Sequence, residues 1–165
     1  MTIPRELTLS SINGDYLLIS KPIRELTKLR LDPVTFYSNE FELPSELLEI
    51  ELKPTDKDFK LTFSNDLGEQ VVVESMQGNL SFDRSNSTSL EFHKEFKKRH
   101  PSSVTGTQSK EIRIFLDRSS MEVFVNQGEL VITELLFPSS PYTKLSMQGV
   151  EPNSVVYPLK SIWGN

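Results

Sequence analysis

FLDRSSMEVFVNQGELVITELLFP, residues 115–138, contains two sharp breaks between runs of alternating apolar residues. Ahead of the first break, Ile112, Ile114 and Leu116 alternate with Arg113, Phe115 and Asp117. After it, Met121, Val123 and Val125 alternate with Glu122, Phe124 and Asn126. A period of two is that of a strand with one face on a core. The break Asp117-Arg118-Ser119-Ser120 predicts a tight turn, because an aspartate at its first position accepts hydrogen bonds from the backbone N–H groups that follow. Asn126-Gln127-Gly128 predicts a second hairpin, with Gly128 supplying a positive φ. Asp117 and Glu122 are also the residue types of a glycosidase carboxylate pair, which must stand ~5–10 Å apart across a sugar. Acidic residues at hairpins are commonplace, so the structural role is the expected one.

The same pattern extends in both directions. LTLSSI and YLLISKPI flank Asn13-Gly14-Asp15, and Asn-Gly is the strongest short hairpin signal. In LLEIELKP, Leu48, Ile50 and Leu52 alternate with Glu49 and Glu51, as in a half-buried strand, and Phe59, Leu61 and Phe63 do the same in FKLTFS. Asp66-Leu67-Gly68 and Gln77-Gly78-Asn79 punctuate VVVESM and LSFDR, and TKLSMQ and SVVYPLKSI follow near the end. Short strands with turns at this spacing predict an all-β fold, an antiparallel two-sheet sandwich of jelly-roll or concanavalin-like type. Helical periodicity is confined to PSELLE and SLEFHKEFKKRH. No repeat, low-complexity tract or long linker divides the chain, so residues 1–165 are expected to form a single domain.

Composition narrows the function classes. A hydrophobic share of 36% with 25% charged residues fits a globular domain, and no apolar run approaches the ~18 residues of a membrane span. A net charge of −5 disfavours nucleic acid as a partner. MTIPRELTLSS lacks the basic-then-apolar pattern of a signal peptide, which leaves the compartment open. The chain has no cysteine and only two histidines, His93 and His100, which disfavours a metal site and implies no cofactor.

With these segments in view, the chain resembles the C-terminal β-sandwich domain of glycoside hydrolase family 32, the family of invertases, levanases, inulinases and sucrose-6-phosphate hydrolases. MTIPREL is similar to the family's segment leaving the catalytic domain, GDYLLISKPIREL to its next strand pair, FDRSNSTSLEFHKEF to a mid-domain segment, and FLDRSSMEVFVNQGELVITELLFP is the closest match. The resemblance implies a five-bladed catalytic β-propeller N-terminal to the sandwich. It also implies three acidic motifs there: an aspartate in Trp-Met-Asn-Asp-Pro-Asn, an Arg-Asp-Pro and a Glu-Cys. None occurs in this sequence, whose one tryptophan is Trp163, whose Arg30-Leu31-Asp32-Pro33 interposes a leucine, and which lacks cysteine. Asp117 and Glu122 are therefore expected at hairpins, with no catalytic residue carried over.

The expected function is a non-catalytic accessory domain of a fructan- or sucrose-hydrolysing glycosidase, partnered by the propeller. The alternative is a carbohydrate-binding module for fructans such as levan or inulin. Pro4, Arg5 and Glu6 are expected near the interdomain junction, where an uncovered apolar face would drive homo-oligomer formation. Tyr16, Tyr37, Tyr142, Tyr157 and Trp163 are candidate sugar-stacking rings, each more commonly a core or edge residue. Lys94, Lys97, Lys98 and Arg99 could form an anion site, but charge runs usually face water.

Overall fold

The computed structural model describes residues 2–12, 14–89, 96–105 and 109–161. A hairpin of β1 (Arg5–Ile12) and β2 (Asp15–Pro22) forms a separate two-stranded sheet. Ile12 pairs with Asp15, leaving a two-residue connection; Gly14 has φ +92°, and Asn13 lies outside the described residues. A 3-10 segment, Arg24–Leu29, follows, fastened by the Thr27 hydroxyl donating to the Arg24 carbonyl at 2.7 Å.

Then come β3 (Val34–Phe36), β4 (Glu40–Glu42), β5 (Leu48–Leu52), β6 (Phe59–Ser64), β7 (Gln70–Met76), β8 (Asn79–Asp83) and β9 (Arg99–Thr105). The chain continues through β10 (Ile112–Asp117), β11 (Ser120–Val125), β12 (Leu130–Leu135), β13 (Lys144–Gln148) and β14 (Ser154–Pro158). Two six-stranded antiparallel sheets result, ordered β12-β11-β10-β5-β14-β3 and β4-β13-β6-β7-β8-β9. They pack face to face as the β-sandwich that the alternation predicts.

The core is made by the inward halves of those alternations. Leu48, Ile50, Ile112, Ile114, Met121 and Val123 of the first sheet meet Leu61, Phe63, Val71, Val73, Phe82 and Leu145 of the second, all essentially inaccessible. Truncating one of the large rings, such as Phe82, to alanine costs about 3–5 kcal/mol.

One predicted helical stretch turns out otherwise, and the middle of the other lies outside the described residues. PSELLE is a bend running straight into β5, because Leu48 and Glu49 are claimed by ladders from β10 and β14. A single helical turn gains too little to compete with two flanking strands. In SLEFHKEFKKRH, residues 90–95, including His93 and Lys94, lie outside the described residues. Phe96–Lys98 is a turn, and Arg99 and His100 are already in β9, paired with Asp83 and Phe82.

Polar side chains fasten the edges of the sandwich. Glu134 of β12 takes Arg84 at 3.1 Å and His100 Nδ1 at 2.6 Å, joining one edge of the first sheet to the β8–β9 edge of the second. The Arg84 guanidinium lies 4.2 Å from the centre of the Phe96 ring. At the opposite loop the buried Glu69 carboxylate accepts from the Asn65 side chain, from the N–H groups of Ser89 and Ser139, and from the Ser139 hydroxyl, at 2.6–2.8 Å. Burial alone would push this carboxyl up; the Asn65 and Ser139 side chains and the two backbone N–H groups outweigh it and hold the pKa at about 2. Nearby, burial pushes the Tyr142 phenol up, with the Glu69 charge adding to it, and its hydroxyl donates to the Ser87 carbonyl at 2.9 Å.

Because the folded pKa of Glu69 lies below its ordinary value of 4.5, its contribution is complete above pH 4.5 and is lost as pH falls toward 2. Glu69→Gln is expected to lower stability at pH 7 by on the order of 2–3 kcal/mol and to flatten the acid limb over that window, read by urea melts across pH. At Gly128, φ is +95° and an added Cβ would fall 2.1 Å from the Ser20 carbonyl oxygen, whereas at Gly68, φ +77°, it meets nothing within 4 Å. Gly68→Ala is expected to cost about 1 kcal/mol, from backbone strain alone. Gly128→Ala should cost at least twice that, seen as a lower urea midpoint or a detached hairpin.

Candidate interdomain interface

On the first sheet much of the outward half of the alternations is shielded from water. Register places Tyr157, Glu49, Phe115, Glu122 and Thr133 in one lateral row, and Val155, Glu51, Arg113, Phe124 and Val131 in the next. Glu49, Phe115, Glu122 and Phe124 are buried, with Glu49 at 0% exposure. The half-buried strand expected of LLEIELKP is thus covered on both faces, and its acids are buried because basic side chains from elsewhere in the chain reach them.

Arg30, just beyond the 3-10 segment, donates through Nε to Glu49 at 2.7 Å, ion-pairs through Nη2 with both Glu49 and Glu51, and stacks 3.9 Å from the centre of the Tyr157 ring. Arg113 reaches the same Glu49 carboxylate from β10 and lies over Phe115. A buried carboxylate shared by two guanidiniums escapes the cost of an isolated buried charge. At the other end of the row, Glu122 accepts the Ile3 N–H at 2.6 Å and pairs with Arg5, which also donates to Thr133 Oγ1 at 2.6 Å and lies over the Phe124 ring.

Glu122 is therefore engaged on both oxygens by the N-terminal segment. Asp117 is exposed at the β10–β11 turn, where it accepts the Arg118 N–H at 2.7 Å. Register sets Asp117 opposite Ser120 and Glu122 opposite Phe115, so the two acids share a face without sharing a partner. Gly128 closes the next turn, in which Asn126 and Gln127 also have positive φ, and the β2 backbone at Ser20 rests on it.

Of the junction residues, Pro4 and Glu6 are exposed, while Arg5 is drawn into the sheet. Beyond them the hairpin presents an apolar face. Leu9 pairs with Leu18, Leu7 with Ser20 and Ser11 with Tyr16; Leu7, Leu9, Tyr16 and Leu18 are 56–77% exposed. This stripe is the feature that residue-by-residue inspection missed. The alternation of Leu7 and Leu9 was a signal, but the continuous Leu17-Leu18-Ile19 opposite them hid which face would be covered.

The aromatic candidates do not converge. Tyr16 and Tyr37 are exposed, Tyr142 is buried, Tyr157 lies under Arg30, and Trp163 is outside the described residues. Of the basic run, Arg99 is paired with Glu74 and donates to Ser81 Oγ at 2.9 Å. Among the described residues no group of three His, Asp or Glu is placed to hold a metal ion.

Two packed antiparallel sheets, a basic-aromatic seal on one outer face and an uncovered hairpin define a β-sandwich domain. The sequence model described as glycosyl hydrolases family 32 C terminal matches residues 26–161, and the chain belongs to that family as its C-terminal domain. It is 32% identical over 152 residues to a probable sucrose-6-phosphate hydrolase of Psychromonas ingrahamii, covering 90% of this chain and 26% of the relative. It is 27% identical over 187 residues to the levanase of Bacillus subtilis, covering 99% and 28% respectively. The fold superposes on the crystal structure of exo-inulinase from Aspergillus awamori with a TM-score of 0.77 at 24% identity, over 98% of this chain and 36% of that one. The chain thus spans about a quarter to a third of the length of the curated relatives it matches.

Glu49→Gln is expected to cost about 3–5 kcal/mol in a urea melt, because it leaves Arg30 and Arg113 facing a neutral group inside the seal. Glu51→Gln, on a side chain that is 42% exposed, should cost no more than about 1 kcal/mol.

Proposed function

We propose that this chain is the non-catalytic accessory domain of a fructan- or sucrose-hydrolysing glycosidase, and that it steadies a catalytic β-propeller through the β1–β2 hairpin. The observation that carries this is the apolar hairpin face. Four large apolar side chains stand in water on a hairpin whose base is fixed to the sandwich by Gly128, Arg5 and Ile3. Leaving such a stripe open forfeits about 1.5–3 kcal/mol for each leucine that could be buried, and its natural cover is another domain.

Two findings support the propeller as that cover. The family pattern begins at residue 26, after the hairpin, so the hairpin precedes the sandwich proper. The relatives extend over three to four times this chain's length, and the levanase alignment takes in 99% of the chain, hairpin included. On this proposal Pro4 and Glu6 face the propeller, and Arg5 ties the crossing segment to Glu122. Retaining hydrolysis needs a nucleophile and an acid/base; Glu122 is committed to Arg5 and the Ile3 N–H, so turnover falls to the partner and this chain alone is inert.

The test is to express the coding sequence contiguous with Met1 on its upstream side, together with the 165 residues, and to assay sucrose and levan hydrolysis. Leu9→Asp with Leu18→Asp is expected to lower the Tm of the catalytic unit by about 5 °C or more while the isolated 165 residues keep their unfolding midpoint. Hydrolysis by the isolated chain, or an upstream sequence with no propeller, would overturn the proposal.

A further inference from the structure

Beside the hairpin base, at one end of the outer face of the first sheet, lies a cavity of about 500 Å³, within the ~300–1,000 Å³ typical of small-molecule sites. Its floor is part of one lateral row, Val155, Glu51, Arg113 and Phe124, contributed by β14, β5, β10 and β11. At ~4.8 Å between strands the row is roughly 14 Å long, which suits an elongated ligand. The walls come from chain ends meeting there: Lys21 from β2, Lys53 after β5, Glu111 before β10, Gln127 from the turn, and Glu151 and Asn153 before β14.

The chemistry of the walls selects a ligand class. Three cations, Lys21, Lys53 and Arg113, are matched by three anions, Glu51, Glu111 and Glu151, so neither a net anion nor a net cation finds a favourable field. The walls hold both donors and acceptors, and several are unspent. No hydrogen bond or ion pair among the described residues engages the side chains of Lys53, Glu111, Glu151 or Asn153, whereas Arg113 spends its Nε on Glu49. Phe124 is too covered to act as a stacking platform, so recognition falls to hydrogen bonds.

We infer that this cavity binds a neutral, polyhydroxylated ligand, a short saccharide, in which each hydroxyl both donates and accepts. Glu111 and Glu151 accept from hydroxyls, Lys53 donates to them, and Asn153 does both. This site is separate from the proposed propeller contact, since Leu7, Leu9, Tyr16 and Leu18 do not line it.

Amide NMR of the 165-residue chain tests this, titrating sucrose, an inulin-type fructotriose and maltotriose to ~10 mM, with citrate and a short neutral peptide as controls. At least one saccharide is expected to move the signals of Glu111, Arg113, Glu151 and Asn153 saturably. Asn153→Ala and Glu111→Gln are expected to weaken binding about tenfold each, as for lost hydrogen bonds to charged or bidentate groups, and Leu9→Asp should leave it unchanged. No shift with any saccharide, shifts that map elsewhere, affinity unaltered in both cavity variants, or a response to citrate or peptide alone would overturn the inference. None of these outcomes bears on the propeller contact, which the leucine variants read separately.

Discussion

Glu49 sits at zero exposure on what should be the wet side of a sheet, and much of the molecule is arranged around that fact. An ionised carboxylate so placed is tolerable only with strong, well-directed partners. Arg30 and Arg113 provide them from opposite sides, one from the sequence preceding β3 and one from the neighbouring strand. Since Arg30 arrives at the end of the 3-10 segment, the pairing fixes where that segment lies and therefore where the hairpin ahead of it starts. The Tyr157 and Phe115 rings flank the two guanidiniums and keep the face apolar between the charges.

The second acid in the row repeats the arrangement one strand pair away. Glu122 holds Arg5 and the Ile3 backbone, so the segment entering the hairpin is fastened to the same sheet face as the segment leaving it. With Ser20 seated on Gly128, the hairpin base has two anchors, and its apolar stripe is held out from the sandwich. A rigid base and an exposed stripe are what a docking element needs: little entropy is lost when it is covered. Glu122, which looked catalytic in isolation, is thus part of the anchorage, while Asp117 belongs to the β10–β11 turn.

Much of this fold could be seen in the residues. Alternation in EIRIFLD, SMEVFVN, FKLTFS and LLEIEL identified the strands and their inward sides, and Gly14, Gly68, Gly78 and Gly128 marked the turns. Alternation says which residues share a face. It does not say whether the second face is wet, because that depends on what the remote chain lays across it. Glu49 and Glu51 look alike in sequence, yet one is sealed and the other partly open. PSELLE carried a local helical pattern that two flanking strands overrode.

The sequence by itself determined an all-β sandwich, the hairpin positions and the family, since these follow from periodicity, turn chemistry and matched segments distributed along the whole chain. Tertiary structure alone decided the placement of Arg5, Arg30 and Arg113 against Glu122 and Glu49, the exposure of Leu7, Leu9, Tyr16 and Leu18, and the polar cavity at the hairpin base. The ion pairs join residues 19 to 117 positions apart through side-chain reach, and the exposure of the stripe depends on what the rest of the chain leaves uncovered, so no local pattern records either.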